Sequence, residues 1–111
     1  MPRPKVYLLK HIDMTDQNPI SIVFEEELQR SAAYDGDLQI GECEYSPSGN
    51  TWSITHTGVR EAYGGRGIAR LLVLKVIEAA RSKGVKINPI CSYAQKMMSG
   101  KDDFKDVLFI Q

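Results

Sequence analysis

A mixed α/β fold of the α+β kind, with a mainly antiparallel sheet, is what the sequence predicts, and three observations predict it. Between Ile20 and Val59 the chain is rich in β-branched and aromatic residues and is broken by the turn signals "DGD" and "PSGN". After "YGGRG" the apolar period changes from two residues to 3.6, the mark of a helix. Beyond Gly84 a short apolar run, "VKINPI", has the length and composition of a buried strand. With 111 residues, 42% of them hydrophobic and 25% charged, a single domain over residues 1–111 is expected.

Residues 1–20 carry Pro2, Pro4 and Pro19 and the polar run "DMTDQN", so they read as an irregular lead-in, with "KVYLL" as a possible edge strand. "ISIVFEEELQRSAAY" fits strand and helix patterns alike; read as strand, it is followed by the "DGD" turn and the strand "LQIGECEYS". "PSGN" then turns the chain into "TWSITHTGV", giving a meander of about three antiparallel strands, since consecutive strands usually pair. Ala69, Leu72, Val73, Val76 and Ala80 recur at helical spacing with Arg70, Glu78 and Arg81 opposite, which predicts a helix from about Arg66 to Lys83. Gly84 suits the left-handed position past its end, and Arg81 and Lys83 complement the negative end of its dipole. Pro89 ends the "VKINPI" strand, "CSYAQKMMS" reads as a second helix with its first turn at Cys91 to Ala94, and "KDDFKDVLF" as a last helical turn and tail.

Fourteen basic and fourteen acidic side chains cancel, so no bulk charge draws the chain to nucleic acid or to an anionic membrane. Any anion must be caught locally. Cys43 and Cys91 form no CxxC pair, and with only His11 and His56 beside them no metal site is expected; free thiols suit a reducing cytoplasm. The sequence lacks an apolar run of membrane-spanning length and the pattern of a signal peptide, so a cytoplasmic protein is expected.

Three glycines and two arginines crowd the mouth of the long helix in "YGGRGIARLL". A helix start leaves backbone N–H groups unpartnered at the positive end of its dipole. Gly64, Gly65 and Gly67 let the backbone approach a phosphate closely, and Arg66 and Arg70 add charge-assisted hydrogen bonds, so a pyrophosphate is the natural guest. The competing reading is a tight turn with no ligand. Two common phosphate fingerprints do not fit: Ile68 and Ala69 follow Gly67 where a P-loop needs Lys and Ser/Thr, and Arg70 stands at the third glycine of GxGxxG.

"GVREAYGGRGIARLLVLKVIEAARSKG" resembles the acetyl-CoA-binding motif of the GCN5-related N-acetyltransferases (GNAT), Gln/Arg-x-x-Gly-x-Gly/Ala at the start of a long helix. Gly67 and Ala69 match its last two defined positions, and Gly64 stands where Gln or Arg is usual. Together with "ITHTGV" and "VKINPICSYAQKMMSGKDDFKDVL", the likeness runs over about residues 36–108 and points to the small, YjdJ-like branch of that superfamily. It implies acetyl-CoA as cofactor: backbone near Val59 would pair with the pantetheine arm, and the loop Gly64, Gly65, Arg66, Gly67, Ile68 and Ala69, with Arg70, would hold the pyrophosphate.

Acetyl transfer to an amine needs a base for the acceptor and a proton for the departing thiolate. Cys91, where a strand ends and a helix begins, can act as nucleophile or as that acid; the alternative is a small packing residue. His56 can serve as the base, because a histidine titrates near ~6.5, or it can be an ordinary strand histidine. Tyr93 is a further proton donor, or packing with a hydrogen-bonded tip. Met97, Met98 and Cys43 read as core, and Asp102 and Asp103 as a solvated helix start. Because the sequence stops at Gln111, short of the extra strands of larger members of the resembled family, an acceptor site is expected that is shallow, completed by a second chain, or suited to an exposed amine such as a lysine side chain. The acceptor is expected to be a small molecule or a protein amine, and the protein a monomer or homodimer. A non-catalytic CoA-binding or protein-interaction module of the same fold is the alternative.

Overall fold

The computed structural model describes residues 19–109. The expected lead-in and its "KVYLL" strand lie outside them, except for Pro19 and for Ile20, which opens the first strand.

Five strands stand in sequence order: β1 (Ile20–Glu25), β2 (Arg30–Asp35), β3 (Leu38–Ser48), β4 (Thr51–Val59) and β5 (Lys86–Pro89). The first four are antiparallel neighbours, and β5 joins β4 in parallel. The parallel pair needs a crossover, supplied by α1 (Ile68–Lys83); α2 (Ser92–Met98) follows β5. The meander therefore has four strands where three were expected. "ISIVFEEELQRSAAY" holds two of them, divided by a 3-10 turn at Glu26–Leu28 and by Gln29 at φ 54. A left-handed glutamine is an unusual way to turn, and no Gly, Pro or Asn marks it in the sequence.

The "PSGN" signal is also shorter in space than in sequence. Ser48 pairs with Thr51, so only Gly49 and Asn50 turn, and Pro47 lies within β3 opposite Trp52. The proline is tolerated because β3 has there run past the last β2 partner, Glu44, and its missing N–H leaves no ladder bond unmade on that side.

α1 begins at Ile68, two residues later than its apolar spacing suggests, with Gly67 as its N-cap. Leu72, Val73, Val76, Ile77 and Ala80 are fully buried against the sheet, while Arg70, Glu78 and Arg81 are exposed as expected. Each larger apolar side chain removed from water contributes about 1.5–3 kcal/mol. One polar bond registers the helix: buried Ser31 on β2 donates its hydroxyl to the Leu72 carbonyl at 2.7 Å. Phe24, Tyr45 and Trp52 stack at centroid distances of 5.9, 6.0 and 4.2 Å and close the far side of this core. Gly84 caps α1 at φ 73, as its place past the helix end predicts. The tail turns through Asp102–Phe104 and bridges the outer edge of β5, where Phe109 N–H donates to the Ile87 carbonyl at 2.7 Å.

Candidate active site

β4 has two unlike halves. Thr51 to Ile54 lie between β3 and β5, whereas Thr55 to Val59 keep β3 on one side and have no strand on the other among the described residues. Pairing with β5 ends abruptly: the Ile54 carbonyl takes both the Ile90 and Cys91 N–H groups at 3.0 Å, and the chain leaves into α2. A bulge sits at the same level. His56 pairs with Glu44 and Ile54 with Tyr45, which leaves Thr55 as an extra residue and bends β4 away.

Beyond Val59 the chain makes a 3-10 turn at Glu61–Tyr63 and reaches the glycines. Gly65 and Gly67 have φ of 75° and 78°, conformations that side chains rarely take, and nothing lies within 4 Å of where either Cβ would point. Gly64, at the position where the resembled motif has Gln or Arg, is extended at φ −67° and so is not required to be glycine by its backbone. Among the described residues no side chain caps α1, no acidic residue stands in its first turn, and the first helical bond runs from Leu71 N–H to the Gly67 carbonyl. The N–H groups of Ile68, Ala69 and Arg70 thus have no partner within the helix. Ile68 turns its side chain into the core and offers only backbone. Arg66 packs its guanidinium 5.3 Å above the Tyr63 ring, and the Tyr63 hydroxyl is anchored on Asp35 at 2.6 Å. That bond to a carboxylate raises the tyrosine above its ordinary pKa. Arg70 is exposed.

On the face that carries α1, a row of polar side chains crosses the sheet toward the open edge. Ser31, Cys43 and Thr57 are cross-strand neighbours on β2, β3 and β4, and Cys91 continues the row past β4. The Thr57 hydroxyl lies 3.5 Å from both sulfurs. Cys91 also caps α2, its Sγ accepting the Ala94 N–H at 3.4 Å. The two thiols differ. Cys43 is fully buried, and burial pushes its pKa up to about 12, so it stays a neutral packing residue. Cys91 is only partly covered. Tyr93, in the first turn of α2, is exposed.

His56 lies elsewhere. Side chains alternate along a strand, so His56 occupies the face opposite Thr57 and Cys91, and the two proposed catalytic groups flank the open edge from its two sides. Its Nε2 is 2.9 Å from Glu42 Oε2. The pair lines an open groove of about 430 Å³ with Gln39, Gly58, Val59 and Arg60.

A family model described as GCN5-related N-acetyltransferase matches residues 30–107. The chain belongs to that family. N-acetyl transfer is therefore its class of chemistry. The solution structure of a GCN5-like candidate N-acetyltransferase from Staphylococcus aureus is 30% identical, covers 82% of this chain and 89% of its own, and superposes with a TM-score of 0.65. A crystal structure from meticillin-resistant Staphylococcus aureus, a protein of unknown function and candidate acetyltransferase, shares the fold at 18% identity, 74% and 69% coverage and a TM-score of 0.51. Curated proteins give no significant sequence match. Among the described residues, no helix is long and apolar enough to cross a membrane, and no group of His, Cys, Asp and Glu is arranged to hold a metal ion.

The candidate site contains residues that the sequence did not single out. Thr57 and Glu42 join it through cross-strand neighbours 14 residues away, Cys43 and His56. The one local signal is the alternation in "THTG", which puts Thr57 and His56 on opposite faces once the segment is read as a strand.

Proposed function

We propose that the protein moves the acetyl group of acetyl-CoA to a primary amine, with the open edge of β4 and the glycine mouth of α1 as its coenzyme site. The observation that carries this reading is their adjacency in the chain: a strand edge that ends at Val59, unpaired among the described residues, leads through the turn at Glu61–Tyr63 to the helix start at Ile68. The donor set fits the coenzyme. Backbone groups along Thr55 to Val59 can pair with the amides of the pantetheine arm. Gly64, Gly65, Gly67, the N–H groups of Ile68, Ala69 and Arg70, and the cations of Arg66 and Arg70 suit a pyrophosphate.

Acetyl-CoA, when bound, supplies a thioester whose C–S bond breaks as the amine nitrogen forms its C–N bond. The chain's own residues handle the protons. His56 takes the proton that the amine gives up. Cys91, on the opposite face of the edge, supplies one to the departing sulfur, with Tyr93 in the first turn of α2 as a second donor. The acceptor is a small-molecule amine or an exposed lysine, and two free thiols suit the reducing cytoplasm.

Titration calorimetry with acetyl-CoA and CoA tests the coenzyme site: binding of both is expected, and no heat with either at millimolar concentration overturns it. Incubation with labelled acetyl-CoA and amines tests the chemistry. Label on the amine is expected; no labelled amine, with CoA released only at the uncatalysed rate, leaves a binding module.

A further inference from the structure

One glycine inside the sheet has no conformational reason to be there. Gly58 lies in β4 and is absent from the glycines with positive φ, and a glycine within a strand weakens it. Space is the reason for it. A Cβ at this position would stand 3.0 Å from His56 Nε2, 3.2 Å from His56 Cε1 and 3.2 Å from Glu42 Oε2. The two side chains are folded over Gly58 and meet above it at 2.9 Å. An ionised carboxylate can only accept a hydrogen bond, so Glu42 holds the Nε2–H form of the ring and leaves the Nδ1 lone pair vacant.

We propose that Glu42 is a positioning residue for His56, that Gly58 provides the room for their pairing, and that the groove they line receives the amine acceptor. The proposal rests on the acetyl-CoA reading above and adds the acceptor's side to it. A proton leaves the amine nitrogen for Nδ1, the Nε2–H stays on Glu42, and the resulting imidazolium is balanced by that carboxylate. The other charged groups facing the ring favour a cationic alkylammonium. Glu44 stands directly opposite His56 on β3. Arg30, next to Glu44 on β2, is occupied by Glu25 at 2.6 Å. Arg60, at the end of the groove, is tied through Nε to the Gln39 carbonyl. An alkylammonium can come from a free polyamine or from a lysine side chain.

The test uses the full chain with putrescine and a lysine-bearing peptide as acceptors, beside ring ¹⁵N spectra of the histidines. The wild type is expected to show the Nε2–H tautomer of His56, and Glu42→Ala and Gly58→Ala to lose it. His56→Ala should lower kcat about 100-fold, and Glu42→Ala and Gly58→Ala about tenfold, with acetyl-CoA affinity unchanged in Glu42→Ala, whose side chain lies on β3 outside the coenzyme edge. Preference for putrescine identifies a polyamine site, and preference for the peptide a protein-lysine site; either supports the alkylammonium class. An unchanged tautomer in both variants, or rates within about twofold of wild type, overturns the role of Glu42 and Gly58. Binding of acetyl-CoA without acetylation of either amine overturns the acceptor groove alone, whereas failure to bind acetyl-CoA removes the coenzyme site itself.

Discussion

The two halves of β4 are built from similar residues and have opposite tasks. In the half closed on both sides, Trp52 and Ile54 are buried and both edges are paired with strands, β3 and β5. In the open half, Thr57 and His56 send polar groups to opposite faces, and the second edge has no strand among the described residues. The bulge at Thr55 and the departure of the chain after Pro89 lie at the boundary. A strand can thus be core at one end and an open edge at the other, without any change of element, when its neighbour stops pairing midway.

This contrast can be broken from either half. The largest effect is expected in the closed half: Ile54→Ala should destabilise the fold by about 2–5 kcal/mol, read as a lower midpoint in urea denaturation, while the protein that remains folded binds acetyl-CoA as before. Gly67→Ala acts at the site. Forcing a Cβ onto a φ of 78° costs about 1–2 kcal/mol in a thermal melt, and the methyl projects into the open space before the helix mouth, so calorimetry should show weaker acetyl-CoA binding.

Cys43 supplies a pH test. Its folded pKa of about 12 lies above the ordinary thiol value, so folding favours the protonated form. That contribution is complete below the unfolded thiol pKa and is lost as pH rises toward the folded one, at about 1.4 kcal/mol per pH unit. Denaturation midpoints should therefore fall from about pH 9 upward, and Cys43→Ala should make that fall shallower. Smallest in stability is Thr57→Val, which keeps the shape and removes the hydroxyl between the two sulfurs: a cost under about 1 kcal/mol is expected, with a measurable drop in acetyl-transfer rate as Cys91 loses its neighbour. Equal losses of stability from Ile54→Ala and Thr57→Val would abolish the distinction between the halves.

Local signals carried the reading from sequence a long way. Period 3.6 exposed α1, Gly84 marked its end, and glycines beside arginines at a helix start pointed to an anion and, through the resemblance, to this family. Two kinds of feature had no local signature. Gln29 turns the chain in a conformation that its neighbours do not advertise, so two strands read as one segment. Glu42 and Gly58 depend on which residues of β3 and β4 stand opposite each other, and that register, with its bulge, follows from packing of the whole sheet.

The parallel pairing of β4 and β5 also gives the molecule a direction. Because both strands run the same way, their exits into α1 and α2 lie at one end of the sheet, while the β3–β4 hairpin at Gly49 and Asn50 and the entry into β5 at Lys86 lie at the other. A label or short insertion in that hairpin would sit a full strand length from the proposed chemistry, so the protein offers a handle for immobilisation or fluorescence that leaves its working end free.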